Sequence, residues 1–477
     1  QALAGCFARR DCPIWADSST ARECQALEEA LGGPEAVAEA TGSAAYCRFS
    51  GNQVSRIAQR EPEVYASCER VSLVSSFVTS ILAGRYCSID SSDASGMNLM
   101  DIRSRGWHQG ALDASGADGL REKLGSVCAS YESQGKLCPF FSNKFGINPN
   151  CVVVSGSGDN PCGLAGLGLS GEGAVAVSLG TSDTIMGITS DPRPQEEGHI
   201  MVNPVEESSC FAMLVYKNGS LARERVRDEL CSGSWAELDR MLASTPPGNG
   251  GNIGLFVDMP EITPQIATTG RFRRGPQDQT VEGVFPPGTE ARAVVEGRFL
   301  SFRGRMLRMG IPPPKAVLAT GGGTNSPEMM QVLADVFSAP VYLRTVPDAA
   351  AIGAALRAKH GYLCSSFSWS SATATATATS VSASALPPAA DAASPEKGKQ
   401  GGGGREGQAG GGRGHGCAYV PFSRVLPAAA DVQTLGENEE ECSSSGGGGG
   451  SSTGSMMRLA ASPRGDTQRI YEGLVER

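Results

Sequence analysis

The chain has 477 residues, 19% of them charged, with a formal net charge of −9 at pH 7. That length suits two or three domains around a sizeable core. The acidic balance, with no dense Lys/Arg face, argues against a nucleic-acid partner, and no apolar run approaches the roughly 18 residues of a membrane span.

The 15 cysteines are odd in number and lack C-x-x-C spacing, which fits reduced cytoplasmic thiols better than a disulfide framework or a zinc site. None of the four histidines, His108, His199, His360 and His415, pairs at metal-ligand spacing, so no metal ligands are expected among the residues. The opening QALAGCFARR has no apolar region of a signal peptide, and Gln1 in place of Met reads as a chain that begins inside a domain.

In chain order, Ile14–Ser19 reads as a short strand running into a turn. Thr20 and Glu23 have capping-box spacing for a helix that Gly32-Gly33 stops, and Pro34 opens another ending at Gly42. Helices are expected over Pro62–Arg70 and Val71–Leu82, the second closed by Gly84. The polar loop Ser88–Asp101 carries several aspartates that suit Asx turns and caps. Cys151–Val154 and Ala174–Val177 read as buried strands, the first ending in Ser-Gly-Ser-Gly before Asp159. Further strands are expected at Asp183–Ile188, Phe211–Tyr216, Lys315–Thr320 and Val341–Arg344. Helices are expected at Ser220–Leu230, Glu290–Met309, after Ser326 through Phe337, and at Ala349–Lys359 with a stop at Gly361. Three strands followed by a helix and strand–helix repeats make an α/β layout of the ribonuclease-H-like kind. Asn218-Gly-Ser220 reads as a turn before a helix rather than a glycosylation site.

Ser365–Gly416 and Thr434–Ser455, rich in Ala-Thr repeats, glycine runs and acidic residues, read as flexible insertions that cannot bury enough apolar surface to order themselves. Tyr419–Val425 and Gln468–Val475 regain apolar pattern and are expected to dock on the fold.

Chemistry concentrates between Cys151 and Ile185. Asp159 is either a helix N-cap or a general base at a strand end, where α/β ligands sit. The Ser178–Asp183 turn is either a plain hairpin or a bed of N–H and hydroxyl donors for phosphate. A second glycine cluster, Gly321–Gly323, before a helix N-terminus favours the ligand reading. No G-x-x-x-x-G-K-[ST] occurs, and the glycine clusters lack the context of a dinucleotide-binding fingerprint.

The segments GDNPCGLAGLGL, AVAVSLGTSDTI, EEGHIMVNPV, YKNGSLARERVRDEL, GNGGNIGLF and ATGGGTNSPEMMQVLADVFSAPVYL closely resemble the FGGY carbohydrate kinases, most of all their eukaryotic branch acting on D-xylulose. PIWADSST, TGSAAYCRFSGNQVSRI, ERVSLVSSF and IDSSDASGMNLMDI resemble it in the same order, as do YVPFSRVL and the last twenty or so residues. The resemblance implies a two-lobed, actin-like α/β fold, with ATP and sugar in the cleft between lobes. It implies a sugar-binding lobe over residues 1–170 and a nucleotide lobe over 171–363. After them come an insertion (364–416), a docked segment (417–433), a linker (434–455) and a terminal segment (456–477). It further implies Asp159 as the base acting on the C5 hydroxyl of D-xylulose, with Arg48 and Asn160 on the sugar. Gly180, Thr181 and Ser182 match the loop facing the ATP phosphates; Gly321, Gly322 and Asn325 match the nucleotide-contacting turn, and Trp235 lies beside the adenosine. ATP with Mg²⁺, a cytoplasmic location and a monomer or homodimer complete the expectation. The family's Asp-x-Gly-Thr/Ser phosphate hairpin and its Gln-x-His-Gly-like sugar segment are not found, which leaves the first lobe incomplete and reduced activity expected of this chain alone. Another sugar or polyol kinase of the family, or a non-catalytic sugar- or nucleotide-binding remnant, are the other readings.

Overall fold

The computed structural model describes residues 5–344, 348–379, 419–422, 425, 457–465 and 467–475. The glycine-rich stretch from 380 and the 434–455 linker lie outside the described residues. Among the described residues the first half is mainly helical, with two small strand pairs. Strands β1 (Ile89–Asp90) and β2 (Val127–Cys128) pair in parallel; β3 (Ser133–Lys136) and β4 (Val152–Val154) pair antiparallel. The second half is built on seven strands: β5 (Ala174–Leu179), β6 (Asp183–Thr189), β7 (His199–Val202), β8 (Cys210–Tyr216), β13 (Ala316–Thr320), β14 (Val341–Leu343) and β15 (Arg458–Ala461). Their spatial order is β15-β14-β13-β5-β6-β8-β7. Smaller pairs join β9 (Ile253–Val257) to β12 (Gly270–Arg274) and β10 (Glu261–Ile262) to β11 (Gln265–Ile266).

The register follows burial. All of β5 except Ser178 is buried, as expected for a central strand covered on both faces. Helix Pro287–Arg308 crosses one face of the sheet and buries Phe299, Phe302 and Met306. One apolar core runs through both halves, taking in Ile89, Met97 and Leu99 as well as Val175, Ile200 and Val317.

Several expectations are corrected. Ile14–Ser19 forms no strand: Asp17 accepts from the Ser19 amide at 2.9 Å in an Asx turn, and Ile14 and Trp15 are exposed. The capping box at Thr20 and Glu23 does not form either, because the Thr20 hydroxyl donates to the Cys47 carbonyl at 2.5 Å instead. The helices expected over Pro62–Arg70 and Val71–Leu82 are Pro62–Ser67 and Val74–Ala83. Gly361 does not stop its helix, which runs Ala349–Thr379 and so enters the stretch expected to be an insertion. A Cβ at Gly361 would sit 2.5 Å from Val154 and 2.8 Å from the Tyr131 carbonyl, so glycine is needed there for close packing on β4 rather than for a cap. Helices Ser50–Arg60 and Trp235–Ser244 and strands β7 and β15 were not anticipated.

The docked termini are present. Tyr471, on helix Thr467–Val475, is fully buried, its hydroxyl donating to Glu296 at 2.5 Å and accepting from Arg292 at 3.2 Å. Phe422 and Val425 are buried against Ala165 and Val205. Asn218 is also buried: its side-chain oxygen accepts from the Asp258 and Met259 amides at 2.8 and 3.0 Å, which makes it a turn residue rather than a glycan acceptor.

Candidate active site

Two glycine turns meet at the end of the central strand. Leu179 pairs with Asp183 across the β5–β6 hairpin, leaving Gly180, Thr181 and Ser182 as a three-residue turn whose last two residues are exposed. Because β13 runs parallel to β5 with Thr320 opposite Ser178, the following glycines emerge beside that turn. Gly321 has φ +90°, and a Cβ there would stand 2.5 Å from the Leu179 carbonyl oxygen, so the backbones touch. Only glycine satisfies both conditions. Gly322 is exposed, with nothing within 4 Å of where its Cβ would be, and Asn325 is exposed at the end of the 3-10 turn Gly322–Asn325.

Trp235 reaches the same neighbourhood through its helix. Asp239, one turn along Trp235–Ser244, accepts from the hydroxyl of Ser326, which also caps helix Pro327–Phe337 by accepting from the Met329 amide at 3.0 Å. Burial raises the Asp239 carboxyl, and the Ser326 hydroxyl opposes the rise. The Trp235 ring is half-exposed, with the Arg227 guanidinium 4.5 Å from its centroid.

The first half supplies the remaining predicted residues. Asp159 is exposed and is the first residue of helix Asp159–Gly166; the N-cap is Gly158, so the capping reading of Asp159 does not hold. Its Oδ1 accepts from the Asn160 amide at 2.8 Å, and Asn160 is exposed beside it. Helix Asp159–Gly166 is seated by glycine-to-glycine packing on Ala349–Thr379: a Cβ on Gly353 would lie 1.7 Å from the Cys162 carbonyl. Arg48 lies in the turn before helix Ser50–Arg60, 5.6 Å above the Trp15 ring. That turn is anchored across the halves, since Tyr46 and Phe49 both pack on His199 at 5.2 Å. Burial pushes the His199 imidazole down to about 4, so it is neutral at pH 7, with Nδ1 3.0 Å from the Ser43 hydroxyl.

Supporting residues escaped the sequence reading. Asn98, held at φ +56°, donates to Thr41 Oγ1 and the Ser43 carbonyl, both at 3.1 Å, and accepts from the Tyr46 amide at 3.0 Å. It thereby fixes the loop leading to Arg48. In the polar loop, Asp90 and Asp101 make the caps and Asx turns expected of them, whereas Asp93 does something else. Its carboxylate accepts from Ser75 and lies where a Cβ on Gly158 would come within 2.9 Å, immediately before Asp159. Burial pushes Asp93 up to about 6; Ser75 opposes the rise, and the nearby Asp90 and Asp159 add to it. Nothing in the spacing of SIDSSDASGMNLMD separates Asp93 from its neighbours.

Two domain profiles match the sequence: the N-terminal domain of the FGGY family of carbohydrate kinases over residues 10–166 and its C-terminal domain over 175–362. The chain belongs to this family. A rat (Rattus norvegicus) protein named xylulose kinase is 48% identical over 363 residues, 76% of this chain and 67% of the relative. Xylulose kinase 2 of Arabidopsis thaliana is 45% identical over 374 residues, with the same two coverages. Among solved structures, xylulose kinase from Bifidobacterium adolescentis superposes with TM-score 0.62 at 23% identity, over 73% of this chain and 76% of that one. Glycerol kinase from Plasmodium falciparum superposes with TM-score 0.60 at 14% identity, over 73% and 70%. Likeness at these identities establishes the two-lobed, actin-like α/β fold.

Proposed function

We propose that the chain catalyses ATP-dependent phosphorylation of D-xylulose at its C5 hydroxyl, with Asp159 as general base. The observation that carries this reading is the contact of the Gly321 backbone with Leu179, which sets two exposed donor-rich turns side by side. Relatives named xylulose kinase at 45% and 48% identity support the choice of sugar.

Phosphoryl transfer requires positioning and charge neutralisation more than covalent help. In this reading Gly180, Thr181 and Ser182 receive phosphate oxygens, and Gly321, Gly322, Asn325 and Trp235 hold the nucleoside. Arg48 and Asn160 orient the sugar, and Asp159 accepts the proton of the attacking hydroxyl. The nucleotide enters as its Mg²⁺ complex. Among the described residues no three His, Cys, Asp or Glu side chains group to hold a metal. An Mg²⁺ carried by substrate phosphates and waters, with few protein ligands, suits such a site. Every described cysteine is a free thiol, which supports a cytoplasmic enzyme.

The test is expression of the chain together with any coding sequence upstream of Gln1, supplied with ATP, Mg²⁺ and a panel of ketoses and polyols. ADP release is expected with D-xylulose above all others. Preference for another sugar would move the assignment within the family. Absence of any sugar-dependent ADP would leave a non-catalytic binding protein.

A further inference from the structure

We infer that Arg223 is a positioning residue for the nucleotide phosphates, acting through the Gly180–Ser182 turn; this rests on the kinase reading of that turn. Asp183, the residue after the turn, is fully buried, and its carboxylate is gripped at both oxygens by Arg223, at 2.7 and 2.9 Å. Arg223 is itself buried, in the first turn of helix Ser220–Cys231. That helix also holds the other end of the turn, since the Ser220 amide donates to the Gly180 carbonyl at 2.8 Å. Between these grips the backbone is in contact: a Cβ on Gly219 would lie 2.6 Å from the Thr181 carbonyl.

A second pair braces the first. Arg298 stands 3.9 Å from Asp183, donates to Glu261 at 3.1 Å and donates to the Asn218 carbonyl at 2.8 Å. Glu261 in turn accepts from the Lys217 and Asn218 amides at 2.7 and 3.2 Å, just before the helix begins. Two arginines and two carboxylates thus form a neutral, buried set beneath an exposed turn.

Burying such charges is a poor route to stability, because desolvation consumes much of the attraction and apolar residues of similar volume often do as well. What the arginine–carboxylate fork provides is geometry, two parallel bonds that fix the carboxylate in plane and distance. Its orienting effect falls on the three residues between Leu179 and Asp183, whose N–H groups and hydroxyls would otherwise sample several turn conformations. Thr181 and Ser182 stay exposed while both of the turn's flanks are held. That suits donors preset for an anionic ligand.

Arg223→Lys keeps the charge and removes the fork, so it tests geometry apart from electrostatics. In the full chain, hydrogen exchange of amides in 179–183 is expected to accelerate about tenfold, while amides of β13 remain unchanged. Affinity for a non-hydrolysable ATP analogue with Mg²⁺ is expected to fall about tenfold with D-xylulose affinity unaltered. Unchanged exchange in 179–183 would overturn the inference, as would uniform acceleration across the sheet, which marks a residue that only stabilises. Should the parent chain bind no nucleotide, the kinase reading fails, and the exchange pattern still decides whether Arg223 orders the turn. If Arg223→Lys does not fold, Asp183→Asn, which keeps shape and loses the charge pair, is read by the same exchange criteria.

Discussion

Asp93 shows how one buried residue beside Asp159 couples stability to pH. Its carboxyl is raised from 3.8 to about 6, chiefly by burial. An acid whose folded value lies above its unfolded value contributes stability below the unfolded value and loses it as pH rises through the folded one. The penalty should therefore be absent near pH 4, grow up to about pH 6, and stay constant above, at about 2–3 kcal/mol. Asp93→Asn, which can still accept from Ser75, should be more stable than the parent at pH 7, with the advantage vanishing toward pH 4. Denaturant unfolding across that range checks it; a pH-independent difference would show that the Asp93 carboxyl titrates normally. Asp159 and Asp93 also illustrate what is legible at this scale. Asp159 stands out because it follows a strand and a Gly-Ser-Gly turn. Asp93 lies among serines in a loop, and only the approach of Gly158 reveals its place.

At the scale of elements, the Gly321–Gly323 turn was legible because Gly321 needs a backbone that only glycine supplies, and that need is written in composition. Gly321 and Gly322 separate structural demand from the ligand-facing role proposed for their turn. Gly321→Ala would place a methyl against the Leu179 backbone at positive φ, costing about 1–3 kcal/mol and misplacing the turn. Gly322→Ala meets open space, so stability should change by no more than about 0.5 kcal/mol while nucleotide affinity falls. Thermal melts with and without an ATP analogue distinguish the two. If Gly322→Ala binds nucleotide as tightly as the parent, that turn does not face the ligand. Gly361 reads the other way. Its stop signal was misleading because tertiary packing on β4, invisible in local sequence, dictated the glycine. The helix bearing Arg223 was anticipated, yet its Arg/Glu-rich stretch gives no sign of which arginine turns inward.

Across the whole molecule, residues remote in sequence close the structure. Arg357 reaches Asp90 at 3.2 Å, the Ser130 carbonyl at 3.2 Å and the Pro204 carbonyl at 3.4 Å, linking the two halves. Beyond the long low-complexity stretch, β15 adds to the sheet edge at β14 and Tyr471 plugs into Arg292 and Glu296. The order of the two family domains and the burial of Phe422 and Tyr471 agree with the motifs read in register. The partners of β15 were not legible, since a four-residue strand of mixed polarity carries no periodic signal. In the proposed reaction these halves meet so that Asp159 takes a proton from a sugar hydroxyl. The most direct test is Asp159→Asn in the ATP- and D-xylulose-dependent ADP assay, with both affinities measured alongside. Sugar and nucleotide affinity should hold within a few-fold while turnover falls by about 10²–10⁴. Turnover within a few-fold of the parent would contradict it.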